Sequence, residues 1–205
     1  MITIVDYGMG NLGSIYNMFK YIGVASEITN DPHKIQKASK LLLPGVGSFD
    51  TAMQKIKELH LDEILHEKAL KEQVPILGIC LGMQLLTKSS QEGSLEGLGW
   101  IDAKTLSFKN RLRKEYKIPH MGWNRVYKQQ DNPLLKDFEK FEELRFYFVH
   151  SYFVKVANEE NSLLKTVYDI EFDSAIVKDN IFGAQFHPEK SHKFGMKLFE
   201  NFAKV

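Results

Sequence analysis

Cysteine is almost missing from this chain of 205 residues, in which Cys80 stands alone. A single thiol can close no internal disulfide and can form no C-x-x-C redox or zinc pair, so a reducing compartment, the cytoplasm, is expected. An excess of either charge is missing too: 27 Lys and Arg face 26 Asp and Glu, for a formal net charge of +1. Without a global basic field to steer it to phosphates, the chain does not look like a dedicated nucleic-acid binder. Long apolar runs are also lacking. The longest, Val74 to Leu86, is interrupted by Pro75, two glycines and Gln84, and it falls well short of the ~20 residues of a membrane span. The opening stretch Met1–Asp6 has no basic segment and meets an acid at Asp6, so neither a signal peptide nor membrane association is expected. No internal repeat, low-complexity tract or linker interrupts the sequence. What is present is a globular composition, 43% apolar and 26% charged. The length fits one domain, residues 1–205, at roughly 100–200 residues per domain.

Short β-type runs alternate with helical periodicity through the first half. Ile2–Val5 reads as a buried strand, after which Leu12, Ile15, Tyr16, Phe19 and Ile22 recur at helical spacing. A second strand is expected over Val24–Thr29, and Asp31-Pro32 reads as an N-cap followed by proline at the first helical position. Leu41–Leu43 is a third apolar run, stopped by Pro44-Gly45-Val46-Gly47. Phe49, Met53, Ile56 and Leu59 then share one helical face, and a further helix is expected from Leu61 to Lys71. Val74–Leu77 is the fourth strand, and Gly78-Ile79-Cys80-Leu81-Gly82 leads from it into another apolar helix. Strands separated by helices predict a parallel sheet covered on both faces. Beyond Gly93 the strand-like runs Ile101–Leu106, Trp123–Tyr127, Leu144–Val149, Tyr152–Val156, Leu163–Val167, Ser174–Val177 and Ile181–Phe186 follow with little helix between them. They predict an antiparallel extension of the same sheet. A last helix, from about Lys190 to Ala203, puts Phe194, Leu198, Phe199 and Phe202 on one face.

Three local patterns could carry chemistry. Gly8-Met9-Gly10-Asn11-Leu12-Gly13 is a G-x-G-x-x-G between a strand and a helix, the setting of a dinucleotide site. The acid expected about 20 residues further on is poorly supplied, because only Glu27 is near and it falls early in the second strand. A tight strand-to-helix turn is the better reading. Gly78-Ile79-Cys80-Leu81-Gly82 has the G-x-nucleophile-x-G form. Its glycines allow a sharp turn, and the helix N-terminus favours a thiolate at Cys80 and points the Leu81 amide at an oxyanion. The competing reading is a small buried hydrophobe. A thiolate needs a proton-handling partner and a group to orient it. His33, His60 and His66 read as surface residues, whereas His187 ends an apolar run and precedes Pro188-Glu189. In an extended segment Glu189 would lie on the same side as His187 and could fix its tautomer. Pro44-Gly45-Val46-Gly47 would then sit at the same carboxyl edge of the sheet, where its amides could complete an oxyanion hole. By itself it is an ordinary turn.

Together these segments resemble the class I, triad-type glutamine amidotransferases. The resemblance runs through Asp6–Leu12, Leu43–Gly47, Gly78–Gln84, Pro119–Asn124, His150-Ser151-Tyr152 and Gln185–Ser191, and so covers essentially the whole chain. Pro119-His120-Met121-Gly122-Trp123-Asn124 and the N-terminal segment narrow it to the HisH-type glutaminase subunits of imidazole glycerol phosphate synthase. The resemblance implies a three-layer, flavodoxin-like α/β fold around a mostly parallel sheet with an antiparallel extension. It implies hydrolysis of glutamine to glutamate and ammonia by Cys80 as nucleophile, His187 as acid and base, and Glu189 orienting His187. Backbone groups of Val46, Gly47 and Leu81 would hold the oxyanion, and Gly47, Gln84, Ser151 and Tyr152 would bind glutamine. His150 would sit beside that pocket or serve as a structural histidine. No cofactor or metal is implied. The implied partner is a HisF-type (β/α)8-barrel synthase, met by Asn11, Met121, Trp123 and Lys190, into which ammonia passes for imidazole glycerol phosphate and AICAR formation in histidine biosynthesis. Tyr168-Asp169 departs from a Tyr-Gly common in HisH proteins, and Gly97–Ala103 and Ser191–Met196 look closer to second-copy relatives that supply ammonia for amidination of bacterial surface sugars. Two further readings are a related thiol hydrolase of γ-glutamyl compounds and a nucleotide-binding scaffold built on Gly8–Gly13. The basic run Lys109, Arg111, Arg113, Lys114 and Lys117 reads as a solvated loop.

Overall fold

The computed structural model describes all residues, 1–205. Five strands make the parallel half of the main sheet: β1 (Ile2–Val5), β2 (Ser26–Thr29), β3 (Leu41–Leu43), β4 (Ile76–Ile79) and β13 (Ile181–Ala184). They lie in the order β2-β1-β3-β4-β13, with parallel register pairs such as Leu42 with Leu77 and Ala184 with Ile79. Helices α1 (Leu12–Tyr21), α2 (Pro32–Gln36), α3 (Phe49–Glu58), α4 (Asp62–His66) and α5 (Leu81–Leu85) follow the first four strands, and α6 (His192–Lys204) closes the chain. Strand alternation sorts the side chains into two cores. Ile2, Ile4, Leu42, Leu77 and Ile79 face Phe19 of α1 and Leu198, Phe199 and Phe202 of α6, with Phe19 and Phe199 stacked at 4.4 Å. Val5, Leu41, Leu43 and Ile76 face Ile35, Phe49, Met53, Ile56 and Leu65 of α2, α3 and α4. The result is a three-layer α/β fold. No helix is long and apolar enough to cross a membrane.

The second half adds β5 (Ser89–Ser90), β6 (Ala103–Ser107), β8 (Tyr127–Lys128), β10 (Tyr152–Val156), β11 (Ser162–Tyr168) and β12 (Ile170–Lys178). Beyond β13 the order runs β12-β10-β6-β5, with β12 antiparallel to β13, β10 and β11. Two expectations change. The run ending at Phe186 joins the parallel half, because β13 pairs with β4. The runs around Trp123 and Phe146 do not extend the sheet: β7 (His120–Arg125) and β9 (Arg145–His150) form a separate antiparallel ribbon. Element ends also shift. Val24 donates to Phe19 O and closes α1 rather than starting a strand. The helix expected to reach Lys71 turns from α to π geometry over Glu67–Lys71, and Pro188–Lys190 is a 3-10 turn ahead of α6.

Candidate active site

Cys80 is where β4 becomes α5, and its backbone is strained: φ is 53° and ψ is −110°. A non-glycine residue held there costs on the order of 1–3 kcal/mol and persists only where the surroundings impose it. Its N–H donates to Ala184 O at 2.7 Å, and its carbonyl accepts from Gln84 N at 3.2 Å. The flanking glycines serve close approach. A Cβ on Gly78 would lie 2.6 Å from Gly82 O, and one on Gly82 would lie 1.9 Å from Leu43 O. The first N–H of a helix has no acceptor within that helix, so the Leu81 amide is free to meet a ligand beside the sulfur.

His187 arrives three residues beyond Ala184, the register neighbour of Ile79. Its Nδ1–H donates to Glu189 Oε1 at 2.8 Å, and both side chains are almost completely buried. The expected contact forms, but on a different backbone: Pro188–Lys190 is a 3-10 turn and not an extended segment. The turn is braced by Ser191, whose hydroxyl donates to His187 O at 2.6 Å and accepts from Tyr147 N at 3.0 Å. His187 Nε2 is buried and without a hydrogen-bond partner. Burial opposes charge on the ring, but the Cys80 sulfur and the Glu189 carboxylate outweigh it and push His187 up to about 10.

The Pro44–Gly47 loop leaves β3 beside the elbow. A Cβ on Gly45 would lie 2.8 Å from Leu81 Cβ and 2.9 Å from Gly82 N. The loop is pinned by the buried Tyr7 hydroxyl, which donates to Pro44 O; burial, and secondarily the charge at Cys80, keeps that hydroxyl protonated. Gly47 has φ +129°, a backbone that side chains rarely adopt. Between this loop and the β9–β10 corner lies a cavity of about 280 Å³ lined by Val46, Gly47, Cys80, Leu81, Gln84, Glu92, Pro119, Val149, His150, Ser151, Tyr152 and His187. The structure therefore brings together Cys80, His187, the three proposed oxyanion residues and the four proposed glutamine contacts. It also adds Glu92, whose half-buried carboxylate accepts from Phe49 N at 2.9 Å and is raised by burial.

The remaining candidates lie outside the cavity. Met121 and Trp123 are exposed on one face of β7, at 61% and 44%. Trp123 stacks on His192 at 5.6 Å, and exposed Lys190 sits 5.8 Å from the Tyr147 ring. Asn11 is exposed and caps α1, accepting from Ser14 N at 3.4 Å. The Gly8–Gly13 segment is a turn packed on the neighbouring loop: Gly10 has φ +106°, and a Cβ there would meet Pro44 and Gly45 at 3.2 Å. Glu27 is engaged with Lys34 at 3.5 Å. The basic loop is exposed and tied down by Asp169, which accepts from Arg113 N at 2.8 Å and from Nε at 2.7 Å.

The family model for class-I glutamine amidotransferases matches residues 3–205. The chain belongs to that family. The subunit HisH 2 of imidazole glycerol phosphate synthase from Methanococcus maripaludis is 59% identical over 204 residues, spanning 100% of this chain and 99% of that one. The protein of the same name from Pseudomonas aeruginosa is 44% identical over 205 residues, spanning 100% of both. Among solved structures, PurLQS from Thermotoga maritima superposes with TM-score 0.75 at 20% identity, covering 99% of this chain and 97% of that one. A crystal structure of a glutamine amidotransferase gives TM-score 0.75 at 15% identity with full coverage of both. Both neighbours share the fold.

Three features of this amidotransferase escaped the sequence reading. Glu92 lies in a Ser- and Gly-containing loop with no local signal. Gln185 precedes the histidine by two residues, and its amide reaches Cys80 Sγ at 3.7 Å. His120 and His150 pair at 2.8 Å, and His150 Nδ1 donates to Tyr152 O at 2.7 Å. That fixes both tautomers: His150 Nε2 must accept from His120 Nδ1–H, and His120 Nε2 then accepts from Asn124 at 3.2 Å. His150 thus lines the cavity and is also structurally bonded.

Proposed function

We propose that the chain is the glutaminase subunit of an imidazole glycerol phosphate synthase. Cys80 attacks the side-chain amide of glutamine, and the new C–S bond pushes the carbonyl electrons onto oxygen, where the amides of Leu81 and the Val46–Gly47 loop hold the charge. His187 gives its proton to the departing nitrogen and ammonia leaves, with a thioester remaining. His187 then takes a proton from water, which attacks the thioester. Collapse of the second oxyanion releases glutamate and restores the thiolate. Glu189 keeps the imidazole in the tautomer and orientation that this needs. Gly47, Gln84, Ser151 and Tyr152 hold the substrate, and Glu92 takes its ammonium group as the one acid on the cavity wall.

The observation that carries this reading is the buried Glu189–His187 pair sharing one small cavity with a strained cysteine. Exposed Met121, Trp123, Lys190 and Asn11 are the docking residues for a HisF-type barrel synthase, which receives ammonia directly and forms imidazole glycerol phosphate and AICAR in the cytoplasm. The names of the similar proteins favour this acceptor over a surface sugar. The test is glutamate release by the chain alone and after mixing with candidate barrel synthases. Turnover that rises with a HisF-type partner and vanishes in Cys80→Ala supports the reading. Turnover retained by Cys80→Ala, or equal with and without every barrel, overturns it.

A further inference from the structure

We propose that Gln185 is a further catalytic residue, whose side-chain amide donates to the Cys80 sulfur and holds the thiolate in line for attack; this rests on the glutaminase reading above. Gln185 follows β13, with its backbone N–H on Ser174 O at 2.9 Å and no exposed surface. Its Nε2 lies 3.7 Å from Cys80 Sγ, and its Oε1 accepts from Gln84 Nε2 at 3.1 Å. Gln84 Nε2 gives its other hydrogen to Tyr152 O at 3.3 Å.

The orientation of the Gln185 amide follows from this chain. Turned over, it would set two NH2 groups facing each other at Gln84 and aim a carbonyl oxygen at the sulfur, leaving two repulsive contacts between buried groups. Only one arrangement satisfies every group, and in it an N–H points at the nucleophile. Gln185 Nε2 is thus the donor at the sulfur, while His187 shares the cavity with Cys80, and the two groups differ in kind. The imidazole must give up its proton in the reaction, whereas the amide cannot, so Gln185 stays a donor throughout the cycle. It favours the thiolate in the free enzyme and again when the thioester breaks and sulfur leaves as an anion. Through Gln84 the same amide is tied to the Tyr152 carbonyl on the substrate side of the cavity, which couples the position of the sulfur to the groups that contact glutamine.

The test is the pH profile of Cys80 alkylation by iodoacetamide, read beside glutaminase kinetics, in Gln185→Met and Gln185→Glu. The first removes the donor with an unbranched side chain of similar length. The second keeps the acceptor for Gln84 but faces the sulfur with an oxygen. With a hydrogen bond to a charged group lost, the acid limb of the alkylation profile moves up by about one pH unit in Gln185→Met and further in Gln185→Glu. The kcat falls about tenfold or more. A folded Gln185→Met with an unshifted limb overturns the proposal. Should Gln185→Met not fold, Gln185→Glu decides on the same readout. Alkylation needs no substrate, so a wild-type chain that never hydrolyses glutamine refutes the glutaminase reading separately from this one.

Discussion

Placing a methyl group on Gly82 perturbs the site without touching a reacting atom. The Cβ would sit 1.9 Å from Leu43 O, where real contacts essentially never fall below 3.0 Å, and the obstructing atom is backbone. The end of β3 and the start of α5 must therefore part by about 1 Å, and overpacking of this kind costs about 1–3 kcal/mol. At this chain size that corresponds to a Tm lower by about 3–10 °C. The chemical cost is larger. Leu43 leads directly into the Pro44–Gly47 loop, while Cys80 and the Leu81 amide stand at the start of α5, so the displacement opens the gap between the two halves of the proposed oxyanion site. A misplacement of ~1 Å lowers turnover about 100-fold. Gly13→Ala is the control: a Cβ there meets nothing within 4 Å, and alanine inside a helix adds about 0.5–1 kcal/mol. The assay is thermal unfolding followed by glutamate release with saturating partner. Gly82→Ala with unchanged Tm and near-normal turnover would refute the reasoning, and so would a Gly13→Ala that loses as much.

The other consequences concern charge and the outer loops. Glu189→Gln leaves the His187 ring without its anionic partner, so kcat falls about 10²–10⁴ with KM little changed; a drop confined to KM contradicts the orienting role. His120 and His150 are held down to about 4 and about 3, mainly by burial. Both are neutral in either state above their ordinary value of 6.5. As pH falls below it the unfolded chain takes up protons first, and stability drops by up to about 1.4 kcal/mol per pH unit for each. A Tm scan from pH 7 to 4 should therefore slope steeply, and His120→Gln should reduce that slope; an unchanged slope refutes the assignment. His187 works in the opposite window. Its stabilisation is complete below 6.5 and is lost as pH rises toward about 10, which the same scan tests on the alkaline side. Asp169→Gly relieves the left-handed backbone at φ 61° but frees Arg113, so trypsin should cut the Lys109–Lys117 loop faster; equal rates would show that Asp169 does not tie the loop down.

Much of the parallel half is legible because β1, β3 and β4 are largely apolar runs and the helices that follow them carry their own period, whereas β13 gives no local sign that it pairs with β4. The β7–β9 ribbon is not legible either. His120–Arg125 and Arg145–His150 alternate like any half-buried strand, and nothing in either segment says whether its partner is the main sheet or the other. The same limit explains the π turn at Glu67–Lys71. Its residues keep helical composition, and the contact that buried Lys68 makes within it, from Nζ to Gln36 O at 2.8 Å, lies 32 residues away in the chain.

Within the site, legibility follows contact order. His187 and Glu189 are two residues apart, so their partnership is written locally, even though the turn that brings them together differs from the extended segment expected. Gln84 meets Gln185 across 101 residues and Gln185 meets Cys80 across 105, distances at which no spacing rule operates. The strained elbow shows how the two scales join. Glycines 78 and 82 announce a nucleophile turn in the sequence, but neither takes the unusual backbone; Cys80 does, at φ 53°. The glycines matter because Leu43 O of β3 and the α5 backbone come within contact distance of them, while Ala184 O of β13 accepts from the cysteine's own N–H. A local motif of this kind is thus a permission for long-range packing, and the reactivity of the sulfur belongs to the assembled sheet edge.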